Sequence, residues 1–78
     1  MRTEYLGIIR PVIDRGLDMY QFTIFKECNT LEERVANDDN YYSISQGARW
    51  SAAGAQIEIE RLVPRAASLR IIQVGGKS

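Results

Sequence analysis

Tyr20, Phe22 and Ile24 alternate with Gln21 and Thr23. A period of two marks a half-buried strand and predicts β structure within residues 17–28. Upstream, residues 4–13 read Glu-Tyr-Leu-Gly-Ile-Ile-Arg-Pro-Val-Ile, again rich in strand formers. Pro11 has no N–H for a ladder, which predicts an edge strand or one broken by a bulge. Asp14-Arg15-Gly16 between the two runs is a turn signal. Together these segments predict a β-hairpin.

Thr30-Leu31-Glu32-Glu33 is a capping box. The Thr30 hydroxyl can accept from the Glu33 N–H while the Glu33 carboxylate reaches back to the Thr30 N–H. A short helix over 30–37 follows, with acids in its first turn as the helix dipole favours. Asn37-Asp38-Asp39-Asn40 ends it, because such side chains compete with helical hydrogen bonds. Residues 41–46 read as a strand with Tyr42 and Ile44 inward and Tyr41, Ser43 and Ser45 outward.

The stretch 47–54 holds two glycines and several small residues, which suggests a loop or a single helical turn. A helix starting near Ala48 would align Trp50, Ala53 and Ile57. Gln56-Ile57-Glu58-Ile59-Glu60 alternates strictly, however, and on that ground 56–63 is predicted as a strand. Residues 64–67 connect to a last strand over 68–74, whose adjacent Ile71 and Ile72 imply burial on both faces or a bulge. The predicted order is β-β-α-β-β-β. That describes an α+β domain: an antiparallel sheet of about five strands on one short helix, or a small partly open barrel. The domain spans 1–74, and 75–78 reads as a flexible tail.

Composition narrows the chemistry. The 78 residues make a single domain, with ten basic and ten acidic side chains and no histidine. Triads built on histidine are impossible within the chain. One cysteine and no histidine make a poor zinc set. These absences predict a protein that is not an enzyme and needs no metal or cofactor. Cys28 has no partner for an internal disulfide, which fits a reducing, cytoplasmic setting and a buried or half-buried structural thiol. Apolar runs of two or three residues are far short of the ~20 needed to span a bilayer.

Three short motifs are incomplete. Gly76-Lys77-Ser78 resembles the end of a phosphate-binding loop, but Ile71 stands where that motif needs its first glycine. Asp38-Asp39-Asn40 lacks the ligand spacing of a calcium loop and reads as a turn. The hairpin-first order and Gly75-Gly76 resemble ubiquitin-like β-grasp proteins, whose exposed terminal di-glycine is conjugated. Here Lys77 and Ser78 follow the glycines, and the helical slot at 30–37 is shorter than that fold's crossing helix.

Charge is distributed unevenly. Residues 27–40 carry Glu27, Glu32, Glu33, Asp38 and Asp39 against Arg34, whereas residues 41–78 carry an excess of arginine. The acidic stretch is either a solvated helix face or a patch that docks on a basic partner. Tyr41, Arg49 and Trp50 are residue types enriched at interface hot spots. Trp50 has a second reading as core, because large aromatics dominate small cores. The expectation is a non-catalytic protein-binding module using Glu27, Glu32, Glu33, Asp38, Asp39, Tyr41, Arg49 and Trp50. In size and character it is comparable to phage or mobile-element inhibitors such as anti-CRISPR proteins, which block a host nucleic-acid-handling complex. The alternatives are a nucleic-acid binder tracking the backbone with Arg49, Arg61, Arg65 and Arg70, and an assembly subunit, such as a homodimer, joined through an open sheet edge. No membrane partner is expected.

Overall fold

The computed structural model describes residues 3–12, 19–28, 30, 32–33 and 42–75. The elements are β1 (Glu4–Val12), β2 (Met19–Lys26), β3 (Tyr42–Arg49), α1 (Ala52–Leu62) and β4 (Ser68–Gln73). The four strands form one open sheet in the order β3-β2-β1-β4. β1 pairs antiparallel with β2, and β2 with β3, whereas β1 and β4 run parallel. The fold is thus α+β, with a mixed sheet of four strands in place of the expected antiparallel five, and open where a barrel-like form was an option.

The predicted hairpin strands form, with Tyr5 opposite Lys26 and Val12 opposite Met19. Its turn lies outside the described residues. Pro11 does not make β1 an edge strand, because β1 sits between β2 and β4. Its backbone parity explains why. The Ile9 carbonyl accepts from the Val74 N–H at 2.8 Å, so Ile9 and, two residues on, Pro11 turn their backbone groups to the β4 side. β4 ends opposite Ile9, at Gln73. The N–H that proline lacks is the next donor on that side, beside Val74, so its loss coincides with the end of the ladder at Gln73.

The largest correction concerns 56–63, which lies within a helix and the residue that caps it. In a strand Ile57 and Ile59 would share one face; in a helix two residues turn the chain by about 200°, so they point apart. The structure buries Ile59 and leaves Ile57 exposed. Ala52, Ala53, Ala55, Gln56, Glu58, Glu60 and Arg61 are strong helix formers. Ser51 caps the start, its Oγ accepting the Gly54 N–H at 3.0 Å. Val63 caps the end, donating its N–H to the Ile59 carbonyl, and Pro64 follows. Five residues of alternation did not outweigh the cap and the helix-forming composition.

α1 packs on one sheet face through Ala55, Ile59 and Val63, which cluster with Ile9, Phe22 and Ile24. Helix and sheet approach closely at Gly7, where a Cβ would stand 2.8 Å from the Ile59 Cγ2. Leu6, Ile8, Phe25 and Cys28 form a second cluster. Leu6 and Ile8 alternate with Gly7 and Ile9 along β1, which places that cluster on the other face. Ile71 packs with the first cluster and Ile72 with the second, as two-sided burial of β4 required.

The capping box forms in full: the Thr30 N–H donates to Glu33 Oε2 at 3.1 Å and the Glu33 N–H to Thr30 Oγ1 at 3.0 Å. Glu32 and Glu33 are helical. The rest of the expected 30–37 helix lies outside the described residues. β3 runs three residues beyond the expected 41–46 segment, to Arg49. Ile44, expected inward, is 44% exposed, because it is the extra residue where the β2–β3 register shifts between Ile24 and Phe25. No helix among the described residues is long and apolar enough to cross a membrane.

Candidate functional site

β3 ends at Arg49, Trp50 and Ser51 make the turn, and α1 begins at Ala52. Trp50 in this turn and Ile57 in α1 are the most exposed large apolar side chains among the described residues. Trp50 is 67% exposed and Ile57 is 62% exposed. The core reading of Trp50 is therefore overturned. Phe22, in register with Gly47, fills the space above that glycine, where a Cβ would meet its ring at 2.6 Å. Phe22 and Tyr20 pack with the α1 cluster on that face, and Trp50, one residue past the end of β3, stands in solvent.

Glu58 joins strand to helix. Its carboxylate accepts from Arg49 at 2.5 Å and from Arg61 at 2.9 Å. The two guanidinium hydrogen bonds, Arg61 first and Arg49 second, hold the Glu58 carboxyl below the ordinary glutamate value. One carboxylate against two guanidiniums leaves the trio with net charge +1. Arg49, which stands at the end of the edge strand β3, is thereby fixed in place beside Trp50 rather than left to sweep solvent. Gln56 and Glu60 hydrogen-bond across one turn of the same helix at 3.2 Å. A basic, apolar corner of this kind can offer a flat aromatic face and directed guanidiniums to a partner.

The other expected site residues are scattered. Glu27, Glu32 and Glu33 are exposed, near the Lys26 end of β2. Glu27 takes φ 63, and its N–H donates to the Glu4 carbonyl at 2.6 Å. Arg49 pairs with Tyr20 at the other end of β2, six residues from Lys26 and about 20 Å away. Asp38, Asp39 and Tyr41 lie outside the described residues. The acidic group and the Arg49–Trp50 corner therefore occupy opposite ends of the sheet.

The proposed arginine track also divides. Arg49 and Arg61 meet on Glu58. Arg61 is on α1, not on a strand, and so are Glu58 and Glu60. Arg65 is exposed in the turn ahead of β4. Arg70 pairs in register with Leu6, which places it on the sheet face away from α1. No single face carries all four. Among the described residues no three His, Cys, Asp or Glu side chains converge to hold a metal ion. Cys28 is buried, with its thiol donating to the Thr30 carbonyl at 3.7 Å.

Ile57 and Glu58 were not anticipated as site residues. Reading 56–63 as a strand paired Ile57 with Ile59 on one buried face and hid both. The signal that would have found them was Ser51 followed three residues later by the N–H it caps, with Ala55, Ile59 and Val63 at fourfold spacing. No family model matches this chain, and neither a curated protein nor a solved structure matches it.

Proposed function

We propose that this chain is a non-catalytic protein-binding module that engages its partner through the corner between β3 and α1. The observation that carries this reading is the exposure of Trp50. Burying a tryptophan is worth about 2 kcal/mol or more, in a domain whose size supports only about 3–5 kcal/mol of total stability. A chain this small leaves such a contribution unclaimed in the free state when the ring has another use. Ile57 adds a second exposed apolar group on the outer face of α1, and the Arg49–Glu58–Arg61 trio supplies directed charge.

The narrower form of the proposal is an inhibitor from a phage or mobile element that blocks a nucleic-acid-handling complex. Its support is the chain's size and the acidic residues Glu27, Glu32 and Glu33. A footprint of about 800 Å² per side reaches both those acids and Trp50 only by running the length of β2.

The test is affinity capture from the source cell with the wild-type chain, with Trp50→Ala combined with Ile57→Lys, and with Glu32→Gln combined with Glu33→Gln. The corner is the binding surface if the first pair abolishes capture of a partner that wild type retains. Capture lost only with the amide pair moves the surface to the acidic end. Capture untouched by the first pair refutes the corner.

A further inference from the structure

Among the described residues β3 is an edge strand, and the register fixes which of its backbone groups face outward. The Glu27 N–H donates to the Glu4 carbonyl, so the even-numbered residues of β1 turn toward β2 and the odd-numbered residues of β2 toward β1. The even-numbered residues of β2 then face β3. Tyr20, Phe22 and Ile24 pair with Arg49, Gly47 and Ser45. Gln46 and Ala48 therefore present their N–H and C=O groups to the open side, where no described strand pairs with them. Residues 42–48 carry no charge and no proline, the usual protections of an edge. The opposite edge, β4, has Arg70 in its middle.

We propose that β3 pairs antiparallel with β3 of a second copy, about a two-fold axis at Gly47, giving a continuous eight-stranded sheet. This names the partner for the β3 side of the corner and rests on the reading of that corner as a binding surface. Centred on Gly47, Gln46 of each copy lies opposite Ala48 of the other, and the two exchange both backbone hydrogen bonds, twice over by symmetry. Gly47 meets itself on the axis, where the absence of a side chain removes any clash. Ile44 and Trp50, both exposed, flank the paired residues, and the two-fold brings the Ile44 end of one copy to the Trp50 end of the other. Arg49 lies across from Ser45, which sets no like charges opposite. Self-pairing of β4 would bring Arg70 close to its own copy.

Sedimentation velocity on the full chain, up to about 1 mM, tests this. The expected result is a concentration-dependent dimer. Ala48→Pro removes an outward N–H, which an edge tolerates, and weakens the dimer at least about tenfold because the loss occurs twice. Gln46→Lys, at an exposed position, has the same direction of effect without touching the backbone. Leu62→Lys, exposed on α1 and outside the corner, leaves the dimer intact. Circular dichroism confirms that each variant is folded. A monomer throughout the range overturns the pairing, as does a dimer lost with Leu62→Lys but kept with Gln46→Lys. Either result leaves the capture experiment to decide whether the corner binds a foreign protein.

Discussion

Replacing Gly7 with alanine puts a methyl group where the structure has no room for one. The added carbon would stand 2.8 Å from Ile59 Cγ2 and 3.0 Å from Ile59 Cδ1. Carbon contacts settle near about 3.5–4.0 Å, so helix and strand must part by several tenths of an ångström. Gly7 lies on the central strand, hydrogen-bonded on both sides, and α1 is held by Ala55, Ile59 and Val63, so neither moves freely. Overpacking of this kind costs about 1–3 kcal/mol. The reduced entropy of the unfolded chain returns about 0.4–1 kcal/mol. The expected net loss is about 1–2 kcal/mol, or about 5–15 °C in Tm for a domain of this size. Urea and thermal unfolding measure it. A second substitution makes the reasoning specific. Ile59→Val deletes the Cδ1 carbon and costs about 0.5–1.5 kcal/mol by itself. In the Gly7→Ala background it should cost at least about 0.5 kcal/mol less, because it relieves one of the two clashes. A Gly7→Ala protein as stable as wild type, or an Ile59→Val penalty equal in both backgrounds, would refute the close packing of α1 on β1.

Two further predictions concern the helix that builds the corner. Ser51→Ala removes the side-chain acceptor for the Gly54 N–H and should cost about 0.5–2 kcal/mol in urea unfolding; Ser51→Asp should restore most of it, and an aspartate variant as weak as the alanine one would refute the cap. Glu58→Gln removes a carboxylate whose folded pKa is lowered by Arg61 and Arg49. Its stabilisation is full above the unfolded value and is lost as pH falls through the lower folded value. Wild type should therefore exceed the variant in Tm near neutral pH and converge with it in acid, by a small margin because the arginines are exposed. Tm curves that stay parallel from about pH 7 to about pH 2 would remove the ionic contribution.

Short-range hydrogen bonds and strand alternation were legible in the sequence. Thr30 and Glu33 close their reciprocal bonds, β1 and β2 pair as a hairpin, Cys28 is buried, and Ile71 and Ile72 pack on opposite faces of β4. Each depends on residues a few positions apart or on the two-sided geometry of a single strand. Residues 56–63 failed because alternation over five residues reports only where apolar groups recur, while the helix was decided by Ser51, by composition and by a sheet face that needed covering.

The chain by itself thus settled its β-hairpin, its capping box and the kinds of side chain available for chemistry, because those follow from local backbone preference and from inventory. Tertiary structure alone decided that β1 is central and parallel to β4, that Pro11 falls just past the end of that ladder, and that α1 crosses from one sheet edge to the other. It also decided that Phe22 fills the space beside Gly47, that Trp50 stands in solvent, and that Arg49 and Arg61 share Glu58 while Arg70 faces the other way. Those facts depend on which distant segments become neighbours, and strand order is set by the competition of all segments for the same buried faces.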